Sequence, residues 1–248
     1  QATRLAAVKG LFKWLTMRGV LVVDPSRNIQ LPKVKRRVTQ RDYLSLQEAT
    51  ALLQTQASLV KEEKEGTQRW AMRQRDLALL CVALATGRRR SGLLSLKTED
   101  LNFRRLEIRF EFEKGKSGRV VPVAGWAMEQ AKLYVEEARP ILRHSNGSPW
   151  LFVSERGERF TTDGMRRLLR VAQQATVEAN PDLVGLASKN LTPHSLRVTT
   201  MKLLSEGGMK LRTLNEIMDH EKLETTARYL PLQLEELRRV SNLAHPRP

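Results

Sequence analysis

The sequence predicts a mostly α-helical fold with one small antiparallel β-sheet, an α+β class, and three observations carry that expectation. Apolar residues recur at helical spacing along most of the chain. One segment, "LEIRFEFE", alternates strictly between apolar and charged residues, as a half-buried strand does. It is followed by the turn "KGKSG" and a short return, "RVVPV", which together read as a β-hairpin. With 41% apolar residues in 248, the chain has enough to bury a core, which excludes a disordered basic tail.

In chain order, Leu5, Val8, Leu11, Phe12 and Leu15 form the first helical pattern, and Gly19 is its stop. The stretch "LPKVKRRVTQRDYLS" contains a proline, is strongly basic and has few apolar residues, so it reads as an interdomain linker. Residues 1–40 are thus a short helical segment with its linker, and residues 41–248 a second domain. That domain opens on "SLQE", a capping box formed by Ser45 and Glu48. A long helix then runs through "WAMRQRDLALLCVALAT" to Gly87. In the strand, Leu106, Ile108, Phe110 and Phe112 lie on one side and Glu107, Arg109, Glu111 and Glu113 on the other, with Lys114 at the hairpin tip. Further helices are expected around 124–143, 162–178, 194–206, 211–218 and 225–230, with "PWLFVS" a short strand between the first two. Beyond them, Leu232, Leu234, Leu237, Val240 and Leu243 make an apolar stripe that reads as a C-terminal interaction arm.

Charge narrows the partners. Forty-three Lys and Arg against twenty-seven Asp and Glu give a net charge of +16, which points to a polyanion, nucleic acid first. Residues 1–40 hold nine Lys or Arg and a single acid, Asp24, and so carry half of that excess. Lys33, Lys35, Arg36 and Arg37 in the linker are expected to face DNA phosphates. The only cysteine, Cys81, sits in an apolar run, which excludes an intramolecular disulfide and a multi-cysteine zinc site. No apolar stretch reaches membrane-spanning length and no signal-peptide pattern opens the chain, so a cytoplasmic protein with no membrane partner is expected. The first residue is Gln1 rather than Met, which reads as a fragment or a trimmed chain.

Candidate chemistry is concentrated in three stretches. In "LTPHSLRVTTMKLLSEGG", His194 and Arg197 lie one turn apart on one helix face, while Leu196, Leu203 and Leu204 point elsewhere. Two phosphate-binding donors then project together from a first turn that Pro193 suits and that favours an anion. A lone His-x-x-Arg is equally a surface pair. Upstream, however, "ATGRRRSGLLSL" places Arg88, Arg89 and Arg90 directly after a helix end, and downstream "MDHEKLETTARYLPL" supplies His220 and, nine residues later, Tyr229. Of the three tyrosines, Tyr43 and Tyr134 lack such neighbours in sequence.

The ordered set "TGRRRSGLLSL", Lys114 in "EKGKSGRVVPV", "TPHSLRVTT" and "MDHEKLETTARYL" resembles the catalytic domain of the tyrosine recombinases, the phage-integrase family, and most of all its Xer-type bacterial members. The resemblance covers roughly residues 40 to 248. It implies the tyrosine recombinase catalytic-domain fold, with residues 1–40 as the end of a helical DNA-binding domain plus the linker. By position it puts the family's catalytic residues on Arg89, Lys114, His194, Arg197, His220 and Tyr229, with Lys116 as the rival of Lys114. Two departures stand out: Gly92 replaces a usual acid, and Asp219 replaces the usual glycine before the later histidine.

The chemistry so implied is attack by Tyr229 on a DNA phosphodiester, forming a 3′-phosphotyrosine and releasing a 5′-hydroxyl. Arg89 and Arg197 are suited to the charge of the transition state, and His220 adds a hydrogen bond. Lys114 protonates the leaving oxygen and His194 takes the tyrosine proton. No metal or energy cofactor is required. The expected protein is a site-specific recombinase or integrase on double-stranded DNA, self-associating to a tetramer on paired sites. The rivals are a cut-and-reseal enzyme of the type IB topoisomerase kind and a DNA-binding architectural or regulatory protein with a vestigial site.

Overall fold

Caps set the helices. In the computed structural model, which describes residues 2–30, 42–111, 118–142 and 147–218, the chain divides after Arg41 into two compact units. In the first, α1 (Ala2–Met17) ends in a turn through Gly19, and Arg18 lies over the Trp14 ring at 5.4 Å. Lys9 Nζ donates to Ile29 O at 2.6 Å, which ties the following turns back to the helix. In one of those turns the Ser26 hydroxyl and N–H both donate to Asp24 and hold its carboxyl below the ordinary value.

The second unit opens with the capping box read from the sequence. Ser45 Oγ accepts from Glu48 N at 3.2 Å, Glu48 Oε2 accepts from Ser45 N at 2.6 Å, and α2 (Leu46–Glu62) follows. Thr67 caps α3 (Gln68–Thr86), which is buried along most of its length and packs against α2, α5 (Gly125–Leu133) and α7 (Pro193–Glu206). Around this axis lie the single-turn α4 (Arg90–Leu94), α6 (Thr162–Ala179), which rests on α2, and α8 (Leu211–Met218), which rests on α7. Cys81 is 2% exposed within α3, and burial pushes its thiol up to about 12, as befits a packed small hydrophobe.

The sheet has three antiparallel strands in the order β1 (Leu101–Asn102), β2 (Glu107–Phe110), β3 (Arg119–Pro122). A 3-10 turn, Thr98–Asp100, leads into β1. The hairpin register runs from Glu107 opposite Pro122 to Phe110 opposite Arg119, so Ile108, Phe110 and Val121 face the core. The strand is shorter than its alternation suggests. Leu106 adopts φ +54°, is 40% exposed, and gives its carbonyl to Val123 N, which closes the ladder rather than extending it. The hairpin tip lies outside the described residues.

Two expectations are corrected. The helix expected over 124–143 is α5 followed by a π turn, Tyr134–Ala138, and a 3-10 turn, Arg139–Ile141. Pro140 cannot donate an N–H to the preceding turn and its ring crowds that turn, so the regular ladder ends before it. "PWLFVS" is not a strand but a threaded segment with two isolated bridges, Lys97 to Trp150 and Val153 to Arg159. Three of its carbonyls are taken by buried arginines, while Pro149 O and Phe152 O accept from the backbone N–H groups of Thr98 and Phe160. Arg139 donates to Ser148 O, Trp150 O and Leu151 O at 2.6, 2.9 and 3.3 Å, and Arg75 donates to Val153 O at 3.1 Å. Among the described residues no helix is long and apolar enough to cross a membrane.

Candidate active site

The site is assembled at the C-terminal end of α3. That helix stops because Gly87 takes φ +57° and ψ 21°, the left-handed conformation that ends helices at low cost only for glycine. Space imposes the same choice. A Cβ there would lie 2.6 Å from Met218 Cε, 3.0 Å from its Sδ and 3.1 Å from Thr200 Cβ. The C-terminus of α8 and the middle of α7 are thus packed directly on the helix end.

From Gly87 the chain turns outward. Arg88 is buried with its guanidinium 4.8 Å from the centre of the Phe110 ring, a cation–π contact that joins this turn to the sheet. Arg89 follows in extended conformation as the N-cap of α4 and is exposed, as is Arg90. The other end of α4 is also held. Arg159, stacked 4.5 Å from the Trp150 ring, donates Nε–H to Leu94 O at 2.7 Å. Gly92 lies in the middle of this turn, and a Cβ there would make only an ordinary contact with Phe110, at 3.8 Å, so close packing at the Cβ does not require glycine.

Helix α7 starts with Thr192 as N-cap and Pro193 as its first residue. The Thr192 hydroxyl accepts from Ser195 N at 3.2 Å, and Ser195 Oγ accepts from Thr192 N at 3.1 Å, a capping box with serine in the place of Glu or Gln. His194 is half-buried in the first turn. Arg197 is turned inward and only 4% exposed, rather than projecting beside His194. Its Nη1 donates to Gly87 O at 2.8 Å and its Nη2 donates to Met218 O. The first carbonyl lies two residues before Arg89 and the second two residues before His220. One planar guanidinium therefore bridges, from two separate nitrogens, the chain segments leading to two other predicted site residues. Thr200 adds a parallel tie, donating to Leu84 O at 2.8 Å and to Leu196 O at 3.0 Å. A threonine in a buried helix interior is the only trace of this role in the sequence.

Thus Arg89, His194 and Arg197 lie on elements that converge on the end of α3. Lys114, its rival Lys116, His220 and Tyr229 lie outside the described residues, as do Asp219, Lys33, Lys35, Arg36, Arg37 and the arm from Leu232 onward. Among the described residues no group of three or more His, Cys, Asp or Glu is placed to hold a metal ion.

Residues 35–236 match the model of the phage integrase family. The chain belongs to the phage integrase family. It is 30% identical over 246 residues to the tyrosine recombinase XerC of Mycobacterium leprae, a match that covers 99% of this chain and 77% of that protein. Among solved structures, XerA recombinase superposes with a TM-score of 0.63 at 26% identity, over 84% of this chain and 66% of its own. The XerH site-specific recombinase bound to its difH substrate superposes with a TM-score of 0.61 at 21% identity and shares the fold. It is matched over 80% of this chain and 53% of its own, so the present chain spans two thirds or less of these integrase-family structures. The fold is that of the tyrosine recombinase catalytic domain, and the relatives bear out the reading of the sequence as a site-specific recombinase of the tyrosine type.

Proposed function

We propose that this chain acts on double-stranded DNA as a site-specific recombinase, cleaving and rejoining strands through a 3′-phosphotyrosine on Tyr229, within a tetramer on paired sites. The observation that carries the reading is the bridge made by Arg197. By bonding the carbonyls of Gly87 and Met218, it ties the turn before Arg89 and the end of α8, two residues before His220 in sequence, to the helix that bears His194. Convergence of the Arg89 turn, the His194 and Arg197 turn and the end of α8 on one helix end suits a site for a phosphodiester. In the step proposed, the Tyr229 oxygen forms a bond to phosphorus while the bond from phosphorus to the 5′-oxygen breaks. His194 takes the tyrosine proton and Lys114 gives a proton to the departing oxygen, so charge balances without a co-reactant. Guanidiniums at Arg89 and Arg197 supply the positive charge that a metal otherwise supplies, and the phosphotyrosine conserves the bond energy for resealing.

The test is covalent capture. A 5′-labelled duplex, selected by the parent chain from a random-sequence pool, should become attached to the parent protein and not to Tyr229→Phe, while both bind it with equal affinity. An adduct that persists in Tyr229→Phe moves the nucleophile elsewhere. Binding by the parent with no adduct favours the second reading, a DNA-binding protein with a vestigial site, for which Gly92 is the specific argument.

A further inference from the structure

The segment that enters the second unit, Asp42–Ser45, follows the basic linker in sequence and is fastened to α7 and the loop before it. Asp42 Oδ2 accepts from Asn190 N at 2.9 Å. The Tyr43 ring lies 4.2 Å from Lys202 Nζ and 5.9 Å from Lys189 Nζ. Lys189 in turn forms a largely buried ion pair with Glu48. At the centre, Leu44 N–H donates at 2.9 Å to Thr199 Oγ1, and the same hydroxyl donates at 2.9 Å to Ser195 O in the first turn of α7. Thr199 is fully buried, as is Leu44. One hydroxyl therefore connects the backbone of the entry segment to the turn that carries His194 and Arg197.

We propose that Thr199 is a positioning residue: it fixes the first turn of α7 against the entry segment and so sets where His194 and Arg197 stand relative to the DNA phosphate. This rests on the reading of α7 as a catalytic helix. A helix needs no such bond to form. A threonine hydroxyl that donates to the carbonyl four residues back adds little to a helix on its own. Its acceptance of a buried N–H from residue 44 is what couples two segments 155 positions apart. Loss of one buried hydrogen bond leaves a unit of this size folded, while a displacement of about 1 Å in a catalytic group costs roughly 10² in rate.

Thr199→Val keeps the shape and removes the hydroxyl; Thr199→Ser keeps the hydroxyl. On the same selected, 5′-labelled duplex, Thr199→Val should form the covalent adduct at least about tenfold more slowly than the parent, with affinity within about twofold. Thr199→Ser should stay close to the parent. With ¹⁵N-histidine labelling, the His194 ring resonances of free Thr199→Val should shift while those of Thr199→Ser overlay the parent, a readout independent of DNA. Asp42→Ala, which removes a partly exposed tie to the same loop, should slow adduct formation in the same direction and serves if Thr199→Val does not fold. Adduct formation at the parent rate in Thr199→Val or, where that variant does not fold, in Asp42→Ala overturns the proposal. So do equal losses of binding, melting temperature and rate in the valine and serine variants, which mark a purely structural role. A parent that forms no adduct, with the His194 shift intact, overturns the proposed function and leaves the coupling standing.

Discussion

Replacing Gly87 by alanine tests the packing on which the site is built. Two costs are separable. The left-handed backbone, φ +57°, costs an alanine about 1 to 2 kcal/mol relative to glycine. The added methyl would also stand 2.6 Å from Met218 Cε and 3.1 Å from Thr200 Cβ. Met218 is fully buried, so the end of its side chain must repack within the core to make room, and such overpacking costs about 1 to 3 kcal/mol more. The sum, roughly 2 to 5 kcal/mol, corresponds to a fall in Tm of about 5 to 15 °C for a unit of this size. Gly66→Ala is the control. Gly66 has φ +80° with nothing near its missing Cβ, so it reports the backbone cost alone, about 1 to 2 kcal/mol. Thermal and urea unfolding of both variants give the difference. If Gly87→Ala costs no more than Gly66→Ala, α8 is not seated on the end of α3, and the argument that Arg197 joins three segments there fails with it.

Glu48 predicts an acid-dependent stability. Burial opposes its ionisation, but Lys189 and the Ser45 N–H outweigh burial and hold its carboxyl below the ordinary 4.5. Such a group adds stability above its unfolded pKa and loses it as pH falls through the lower folded value. The Tm gap between the parent and Glu48→Gln, worth about 1 to 3 kcal/mol at neutral pH, should therefore close progressively below about pH 4.5; a gap unchanged at pH 3 refutes the pairing. Removing Lys33, Lys35, Arg36 and Arg37 together should flatten the logarithmic salt dependence of duplex binding by roughly two to four units, and an unchanged slope means that the linker does not meet phosphate. Lys114→Ala should slow cleavage by about 10² to 10⁴ and recover on a substrate whose bridging 5′-oxygen is sulfur, because a thiolate departs with little need of a proton; recovery by Lys116→Ala instead assigns the acid to Lys116.

What was legible in the sequence is what local chemistry decides. The Ser45 and Glu48 box, the stop at Gly87 and the pairing of β2 with β3 each depend on a few adjacent side chains, and each stands where the sequence puts it. Misreadings arose where distant residues intervene. "PWLFVS" has the composition of a strand, but Arg139 and Arg75 take three of its carbonyls, and nothing near it in sequence announces those donors. Leu106 fits the strand alternation, yet its left-handed backbone turns it out of the ladder. At the site, spacing identified His194 and Arg197 as neighbours on one turn. It could not say that Arg197 points inward, because the carbonyls it meets belong to residues 110 positions upstream and 21 downstream.

That inward turn has a consequence for how the site is built. An arginine that served only as a phosphate ligand would leave the position of Arg89 to its own turn, and loops hold a side chain less precisely than helices or strands do. Here a single buried cation bonds both flanking carbonyls, Thr200 ties the same helix to Leu84 O, and Thr199 ties it to Leu44 N. The glycine that ends α3 suits the arrangement, since a Cβ at that point would meet the end of the Met218 side chain at 2.6 Å and Thr200 Cβ at 3.1 Å. Arg197→Lys retains the charge but replaces a planar fork, which bonds the two carbonyls from two separate nitrogens, by a single ammonium without that fixed geometry. On the proposed function the guanidinium at this position serves twice, for its charge and for its shape, and the bonds that use its shape are already present in the protein without DNA.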